Sequence, residues 1–283
     1  MNKCLRVLWF LFAVFSASIC GDHTASSAAE KTDICAQGPG PAATTNGGSR
    51  SAMAVNMFGR PEVGWAFYEP LIANEIGTNC GGATPGFAKV LTAWQSAHHI
   101  PSTGLVDPAT LGTLKQLWQQ RRPFVVASQH GCPDPPAEQT LARATPAESY
   151  RGKTIELRAD ALAAYRRMIE EARKAGLLPA GSNLAAIFSA YRSPDYDAAR
   201  CAAQQNCQGI TRARCSAHRT GYAMDINLGA APGSSPDSSD DANRLFISQT
   251  PFYRWLVKKG PRWGLVNYPF EPWHWEYTGS PPP

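Results

Sequence analysis

The chain has 283 residues, of which 43% are hydrophobic, 10% aromatic and 17% charged. This composition supports a folded core of one large or two modest domains and argues against a disordered chain. Lys3 and Arg6 belong to the leader described next; without them, 25 basic residues stand against 22 acidic ones. So small and scattered a surplus of positive charge argues against nucleic acid as a partner.

The first 20 residues have the three parts of a secretory signal peptide. Lys3 and Arg6 precede the apolar run 7–15, and a stretch of small residues follows it. The run is shorter than the roughly 20 residues that a membrane span needs. We therefore expect export to the periplasm or the cell exterior, with no transmembrane segment in the mature chain. Lipidation at Cys20 ranks second, because the residue before it is bulky for such a cleavage site.

Six cysteines remain after the leader, and an even number in an exported chain predicts up to three disulfides. Six cysteines allow 15 pairings, so the sequence leaves the pairing open. The alternative is a zinc site made of the last three, but their spacing does not match the paired cysteines of zinc knuckles. The six are Cys35, Cys80, Cys132, Cys201, Cys207 and Cys215.

Four further segments are predicted after the leader. Residues 21–54 are rich in small residues without periodicity, which is typical of a flexible tether. A folded unit is expected over 55–124, where apolar residues recur at helical spacing on both sides of a turn-rich stretch. Residues 125–150 contain a cluster of prolines and are predicted to be a linker. The catalytic domain is expected over 151–283.

Part of the first unit resembles the peptidoglycan-binding helical module that is attached to many wall hydrolases. The matching residues are Trp94-Gln95, Gly104-Leu105-Val106-Asp107, Thr110 and Leu114. The resemblance implies a small all-α module that binds the cell wall. A helical spacer without a ligand is the alternative, because fold analogy does not establish binding.

The catalytic segment mixes helical and strand patterns. One apolar face predicts an amphipathic helix over 157–174, and Pro194 and Pro251 are placed to begin two more helices. Short apolar or aromatic runs predict strands near 184–190, 263–268 and 273–277. We expect an α+β fold, in which a small antiparallel sheet is flanked by helices, together with a small N-terminal all-α module.

Two histidines lie in sequences that suit metal binding. His218 is followed by Asp225, and His274 lies near the C-terminus. Zinc prefers imidazole nitrogens and carboxylate oxygens, and a catalytic site keeps one coordination position open. These three residues therefore predict one Zn²⁺ per chain. Gly221 permits the turn that would bring the chain back from His218 to a strand carrying Asp225.

Polar residues near these ligands are candidates for catalysis and substrate binding. Glu271 is the predicted general base for the attacking water. Arg192 could bind a terminal carboxylate or stabilise an oxyanion, and the sequence does not choose between these roles. Ser216 could donate to the same carboxylate or cap the turn before His218. Tyr191 and Trp273 complete the predicted substrate contacts.

The segments that carry these residues resemble VanY-type D-alanyl-D-alanine carboxypeptidases and related zinc peptidases. The matching motifs are Ser216-x-His218-x-x-Gly221-x-Ala223-x-Asp225, Glu271-x-x-His274 and Ser189-Ala190-Tyr191-Arg192-Ser193. The resemblance implies that the histidines and the aspartate bind zinc, that the glutamate is the base and that the arginine contacts substrate. Ala190 replaces a usual glycine, and Asp197 stands where many members have glutamine, which leaves the fine substrate preference open.

The expected function is that of a zinc-dependent D,D-carboxypeptidase, a hydrolase that removes terminal D-alanine from peptidoglycan stem peptides. Two alternatives use the same site: an endopeptidase, and an L,D-carboxypeptidase. A third is a wall-binding protein whose zinc is only structural. Glu271 argues against the third, because a structural zinc site fills all four positions and needs no base.

Overall fold

The computed structural model of the protein describes residues 34–203, 205, 207 and 215–279. The predicted signal peptide and the first part of the predicted tether lie outside the described residues. From Cys35 to Pro283 the chain clusters into one unit, to which all the elements below belong. Among the helices described, none combines the length and apolar character that a membrane crossing requires.

The N-terminal part of this unit consists of helices around a β-hairpin. Its elements are α1 (Gly40–Ala52), β1 (Ala54–Met57), β2 (Arg60–Val63), α2 (Glu69–Ile76), α3 (Pro85–Ala97), α4 (Pro108–Gln120) and α5 (Pro123–Ala127). The side chains of Thr84 and Asp107 cap the N-termini of α3 and α4, each before a proline at the first helical position. The antiparallel pair β1–β2 was not predicted, so this part is not purely α-helical.

Helix α1 lies where the sequence predicted a flexible tether, and that expectation is wrong for Gly40–Ala52. The buried side chain of Asn46 explains the difference. Its Nδ2 donates to the carbonyl oxygen of Gly104 at 2.8 Å, and its Oδ1 accepts from the amide of Val106 at 2.9 Å. Because these partners lie 58 and 60 positions away, local composition gave no sign of the helix.

All six cysteines form disulfides, which confirms the predicted number of bonds and supplies the pairing. The alternative of a cysteine zinc site is wrong, because the sulfurs it needs are all in disulfide bonds. One bond ties the predicted linker to the residue just before the first histidine motif. The pairs are Cys35–Cys80, Cys132–Cys215 and Cys201–Cys207.

The C-terminal part is built on an antiparallel sheet of four strands in the order β5-β6-β8-β7. A separate pair, β3–β4, begins inside the predicted linker, so that stretch is partly ordered into strand. The elements are β3 (Leu141–Arg143), β4 (Glu156–Arg158), α6 (Ala159–Lys174), β5 (Ile187–Ser189), α7 (Pro194–Ala203), β6 (Ala223–Ile226), α8 (Asp241–Gln249), α9 (Pro251–Lys259), β7 (Leu265–Tyr268) and β8 (Glu271–Tyr277). The predicted α+β class is confirmed.

The amphipathic helix α6 covers the sheet with the face that the sequence predicted. Its buried residues include Leu162, Tyr165 and Met168, which belong to the same apolar cluster as Ile187 of β5 and Trp275 of β8. Each such side chain contributes about 1.5–3 kcal/mol to folding by leaving water. This packing makes the sheet a rigid support for side chains on its other face.

A buried ion pair joins the N-terminal part to the sheet's helices. Arg244 of α8 donates to Glu62 of β2 at 2.9 Å and to the Tyr68 hydroxyl at 2.8 Å, and that hydroxyl donates to Glu62 at 2.7 Å. The Arg244 guanidinium also lies 4.0 Å from the ring centre of Phe67 and 4.4 Å from that of Phe270. The two parts of the chain therefore share a polar network that excludes water.

Glu62→Gln is expected to lower the free energy of unfolding by about 3–5 kcal/mol, because it leaves the buried Arg244 charge with only the exposed Asp241, 3.3 Å away, as a described counter-ion. Adding Arg244→Met should recover most of that loss, since neither charge of this buried pair then remains. Urea unfolding with the disulfides intact measures both effects. If the double variant were as unstable as the single one, the ion pair would not be the cause.

Candidate active site

The register of the sheet brings two of the predicted ligands together. Asp225 of β6 lies directly opposite His274 of β8, and residues paired in this way point to the same face of a sheet. Asp225 Oδ1 and His274 Nδ1 are 2.9 Å apart. Both side chains are buried, so the strands fix their positions before any ligand arrives.

His218 reaches the same point from the turn before β6. It lies in the single 3₁₀ turn Ala217–Thr220, and Gly221 then redirects the chain with a φ of 71°, as the sequence predicted. Its Nε2 is 3.2 Å from Asp225 Oδ2. One ligand atom from each of His218, Asp225 and His274 lies within 4.8 Å of the other two. The three predicted ligands thus form one cluster.

The hydrogen bonds of His218 show that this cluster suits a cation. Its Nδ1 is 2.7 Å from the carbonyl oxygen of Ala190, which can only accept, so Nδ1 carries the proton of a neutral ring. Nε2 then presents a lone pair to Asp225 Oδ2, which is also an acceptor. Two acceptors at this distance need a proton or a metal ion beside them. Imidazole nitrogen and carboxylate oxygen are ligands that zinc prefers, so the donor set fits zinc.

Burial and mutual contact set the charges of the three ligands. Burial lowers the pKa of His218 to about 4, which keeps this ring neutral at pH 7. Burial alone would raise the pKa of Asp225, but the two histidines outweigh it and hold that pKa far below its usual range. Burial would likewise lower the pKa of His274, yet its hydrogen bond to Asp225 and the nearby Glu276 carboxylate raise it to about 9. Without a metal, a proton on His274 therefore balances the charge of Asp225, and a bound metal would displace that proton.

Glu271 begins β8 beside the cluster. Its Oε2 is 4.0 Å from His274 Nδ1, and its side chain is 34% exposed. Burial of the group raises the pKa of Glu271, which moves this carboxylate towards the range where a general base works near neutral pH. Its place lets it contact both the cluster and solvent.

Arg192 lies against the cluster on the opposite side from β8. Its Nε and Nη2 donate to the Ser189 hydroxyl at 3.2 and 2.7 Å, and Nη2 is 3.3 Å from Asp225 Oδ2. Ser216 has no capping hydrogen bond; its hydroxyl donates instead to Asp197, at 3.1 and 3.2 Å from the two oxygens. The cap interpretation of Ser216 is therefore wrong.

A cavity of about 270 Å³ opens over the cluster. Of the residues predicted to contact substrate, Arg192, Ser216 and Trp273 line it, and Tyr191 is not among the described residues that do. Trp273 is also buried in the apolar core, so it serves as a wall of the site. Residues that the sequence analysis did not single out line the cavity as well, namely Arg122, Phe124, Arg200, Asp237 and Tyr268.

Glu276 is a further residue that the sequence analysis missed. It is 1% exposed, and its Oε1 is 3.4 Å from His274 Nε2. Residues two positions apart on a strand share a face, so its spacing from His274 was a usable signal. Arg122 gave no such signal, because it contacts Glu276 across 154 positions of sequence.

An α+β fold that gathers three possible metal ligands, a further carboxylate and an arginine around one cavity has the groups that hydrolysis of an amide bond requires. Residues 154–280 match the model of the VanY family, described as D-alanyl-D-alanine carboxypeptidase. The resemblance predicted from the motifs is therefore confirmed over residues 154–280, which match the VanY family. The match does not reach the N-terminal part, whose likeness to a peptidoglycan-binding module stays a prediction.

Among solved structures, the chain is similar to one reported as the LdcB LD-carboxypeptidase, with peptidoglycan recognition in its title. The two share 24% sequence identity, the match covers 51% of this chain and 70% of that one, and the TM-score is 0.39. No curated protein matches the chain. The family match, and not this likeness, carries the assignment.

Proposed function

We propose that the protein is a zinc-dependent D,D-carboxypeptidase that removes terminal D-alanine from peptidoglycan stem peptides. The observation that carries this proposal is the convergence of His218, Asp225 and His274 at the floor of an open cavity, with Glu271 beside them. The family match over residues 154–280 supports the same chemistry.

In this proposal His218 Nε2, one Asp225 oxygen and His274 Nδ1 hold one zinc ion per chain. Zinc bound there supplies a Lewis acid that polarises the scissile carbonyl and lowers the pKa of water. The protein's own part is to present the lone pairs. The Ala190 carbonyl fixes the tautomer of His218, and the paired strands fix Asp225 against His274.

Glu271 takes the proton of the attacking water and delivers it to the leaving amine. Its carboxylate is close enough to the cluster to act there and open enough to release the proton. This residue also argues against the alternative of a structural zinc site, in which the fourth position would be filled and a base would have no use.

Two of the arginines that line the cavity, Arg192 and Arg200, favour a carboxypeptidase over an endopeptidase. Both Arg192 and Arg200 line the cavity, and a guanidinium binds a carboxylate through two parallel hydrogen bonds. Arg192 lies nearer the ligands, 3.3 Å from Asp225, and is placed to stabilise the oxyanion. Arg200, on α7, is then available for the terminal carboxylate of the peptide. An endopeptidase would not need that group.

The proposed site of action is outside the cytoplasm. Three disulfides suit an oxidising compartment, in agreement with the leader predicted over the first 20 residues. We further propose that the N-terminal part binds peptidoglycan, which would raise the local concentration of stem peptides.

Purified protein should be incubated separately with pentapeptide muropeptides, tetrapeptide muropeptides and cross-linked dimers. Each reaction is run with and without a chelator, and the product masses are measured by mass spectrometry. We expect only the pentapeptide to lose one alanine, and only without chelator. Shortening of the tetrapeptide would instead indicate an L,D-carboxypeptidase, and cleavage of the dimer an endopeptidase. Unchanged cleavage in chelator would contradict zinc dependence.

A further inference from the structure

A residue of the N-terminal part lies beside the cluster of predicted metal ligands and lines the cavity. Arg122 sits between α4 and α5, and its side chain is 8% exposed. Its Nε and Nη2 are 2.7 and 2.6 Å from Glu276 Oε1, and the Phe124 amide donates to Glu276 Oε2 at 3.0 Å. The same Glu276 Oε1 is 3.4 Å from His274 Nε2. Both oxygens of this carboxylate are thus fixed from the N-terminal part.

Further contacts hold the Arg122 guanidinium in one place. Its Nη1 donates to Gln119 Oε1 at 2.8 Å, and its Cζ lies 3.9 Å from the ring centre of Tyr268. The Tyr268 ring in turn makes an edge contact with His274. A guanidinium held by a carboxylate, an amide and an aromatic face has little freedom left. The fixed guanidinium in turn holds the carboxylate of Glu276 in one position, and the Glu276 side chain is 2% exposed.

The orientation of His274 decides which of its nitrogens can bind a cation. Its Nδ1 faces Asp225, and its Nε2 faces Glu276. A carboxylate behind a ligating imidazole fixes the ring's rotation and keeps the proton on the rear nitrogen, which leaves the front lone pair for the metal. A carboxylate buried without a counter-ion would be costly, and Arg122 supplies that counter-ion.

We propose that Arg122 is a positioning residue for the metal ligand His274 and acts on it through Glu276. The N-terminal part is then a component of the metal site and not only a means of attachment to the wall. This inference rests on the proposed function, because it requires a metal ion at His274.

The test measures zinc affinity by competition with a chromophoric chelator, together with kcat and KM for the pentapeptide. Arg122→Met keeps the apolar stem against Tyr268 and removes the charge. We expect it to weaken zinc binding by about 10- to 100-fold, the usual effect of losing a group behind a ligand. Arg122→Lys keeps the positive charge but loses the paired N–H groups of the guanidinium, so it should recover part of the zinc affinity. In zinc-saturated protein, kcat should fall while KM stays nearly constant.

Two further variants separate this role from a loss of folding. Arg122→Met combined with Glu276→Gln removes both charges of this buried ion pair, so the protein should fold and still bind zinc weakly. Arg121→Ala is the matched control, because Arg121 pairs with Glu75 away from the cluster, with its side chain 52% exposed; it should bind zinc like the parent.

Each outcome has a separate meaning. If the double variant melts like the parent without zinc yet binds zinc within twofold of it, the positioning role is wrong although the proposed function stands. If the parent itself binds no zinc and releases no alanine, the proposed function is wrong, and the inference about Arg122 is wrong with it. The expected result is weak binding by Arg122→Met and by the double variant, intermediate binding by Arg122→Lys and parental binding by the Arg121→Ala control.

Discussion

Replacing Glu271 by glutamine is expected to lower kcat for D-alanine release by about 100- to 10,000-fold, the usual contribution of a general base. Glutamine has nearly the same shape but cannot take a proton from water. Since Glu271 is not one of the three clustered ligands, zinc should remain bound at one ion per chain. The measurements are steady-state kinetics on a pentapeptide muropeptide and metal analysis of the same sample.

Glu170→Gln serves as a control for this change. Glu170 lies on α6 with its side chain 66% exposed, and its ion pair with Lys174 is a surface contact that contributes little. This variant should keep parental kinetics. Full activity in a zinc-loaded Glu271→Gln protein would remove Glu271 from the chemistry.

The second large effect concerns His218, and His218→Ala should abolish both tight zinc binding and alanine release. Structural zinc sites with four protein ligands bind with about 10–16 kcal/mol, or roughly 3–4 kcal/mol per ligand, so losing one of the three proposed ligands should weaken binding roughly 100-fold or more. The substitution also removes one partner of the buried Asp225 carboxylate, which then keeps His274 and Arg192 as its partners among the described residues.

Thermal unfolding with and without added zinc detects this loss independently of catalysis. A ligand that binds only the folded state raises stability in proportion to the logarithm of its concentration over Kd. The parent should therefore melt higher in zinc, and the His218→Ala protein should need roughly 100-fold more zinc for the same shift. His98→Ala is the control: His98 contacts Trp94 in the N-terminal part, away from the cluster, and this variant should respond as the parent does.

The residues of the candidate site were predictable where their signals were local. The spacing of His218, Gly221 and Asp225 encodes a turn followed by a strand, and the structure has both. The offset between Glu271 and His274 places them on one strand, β8. Periodicity likewise predicted the amphipathic helix α6.

The features that the sequence did not reveal depend on contacts between distant residues. Helix α1 is held by Asn46 through partners in a loop 58 and 60 positions away. Arg122 reaches Glu276 across 154 positions, and no periodicity or motif joins them. The composition of residues 21–54 predicted a tether, because small polar residues are typical of linkers. The buried side-chain amide of Asn46 instead ties helix α1 to the core.

Titration of zinc into metal-free protein, with D-alanine release from a pentapeptide muropeptide as the readout, addresses the proposed chemistry most directly. Activity should start near zero, rise in proportion to added zinc and stop rising at one equivalent per chain. Substantial release before any zinc is added, or a break at two or more equivalents, would contradict a single catalytic ion held by His218, Asp225 and His274.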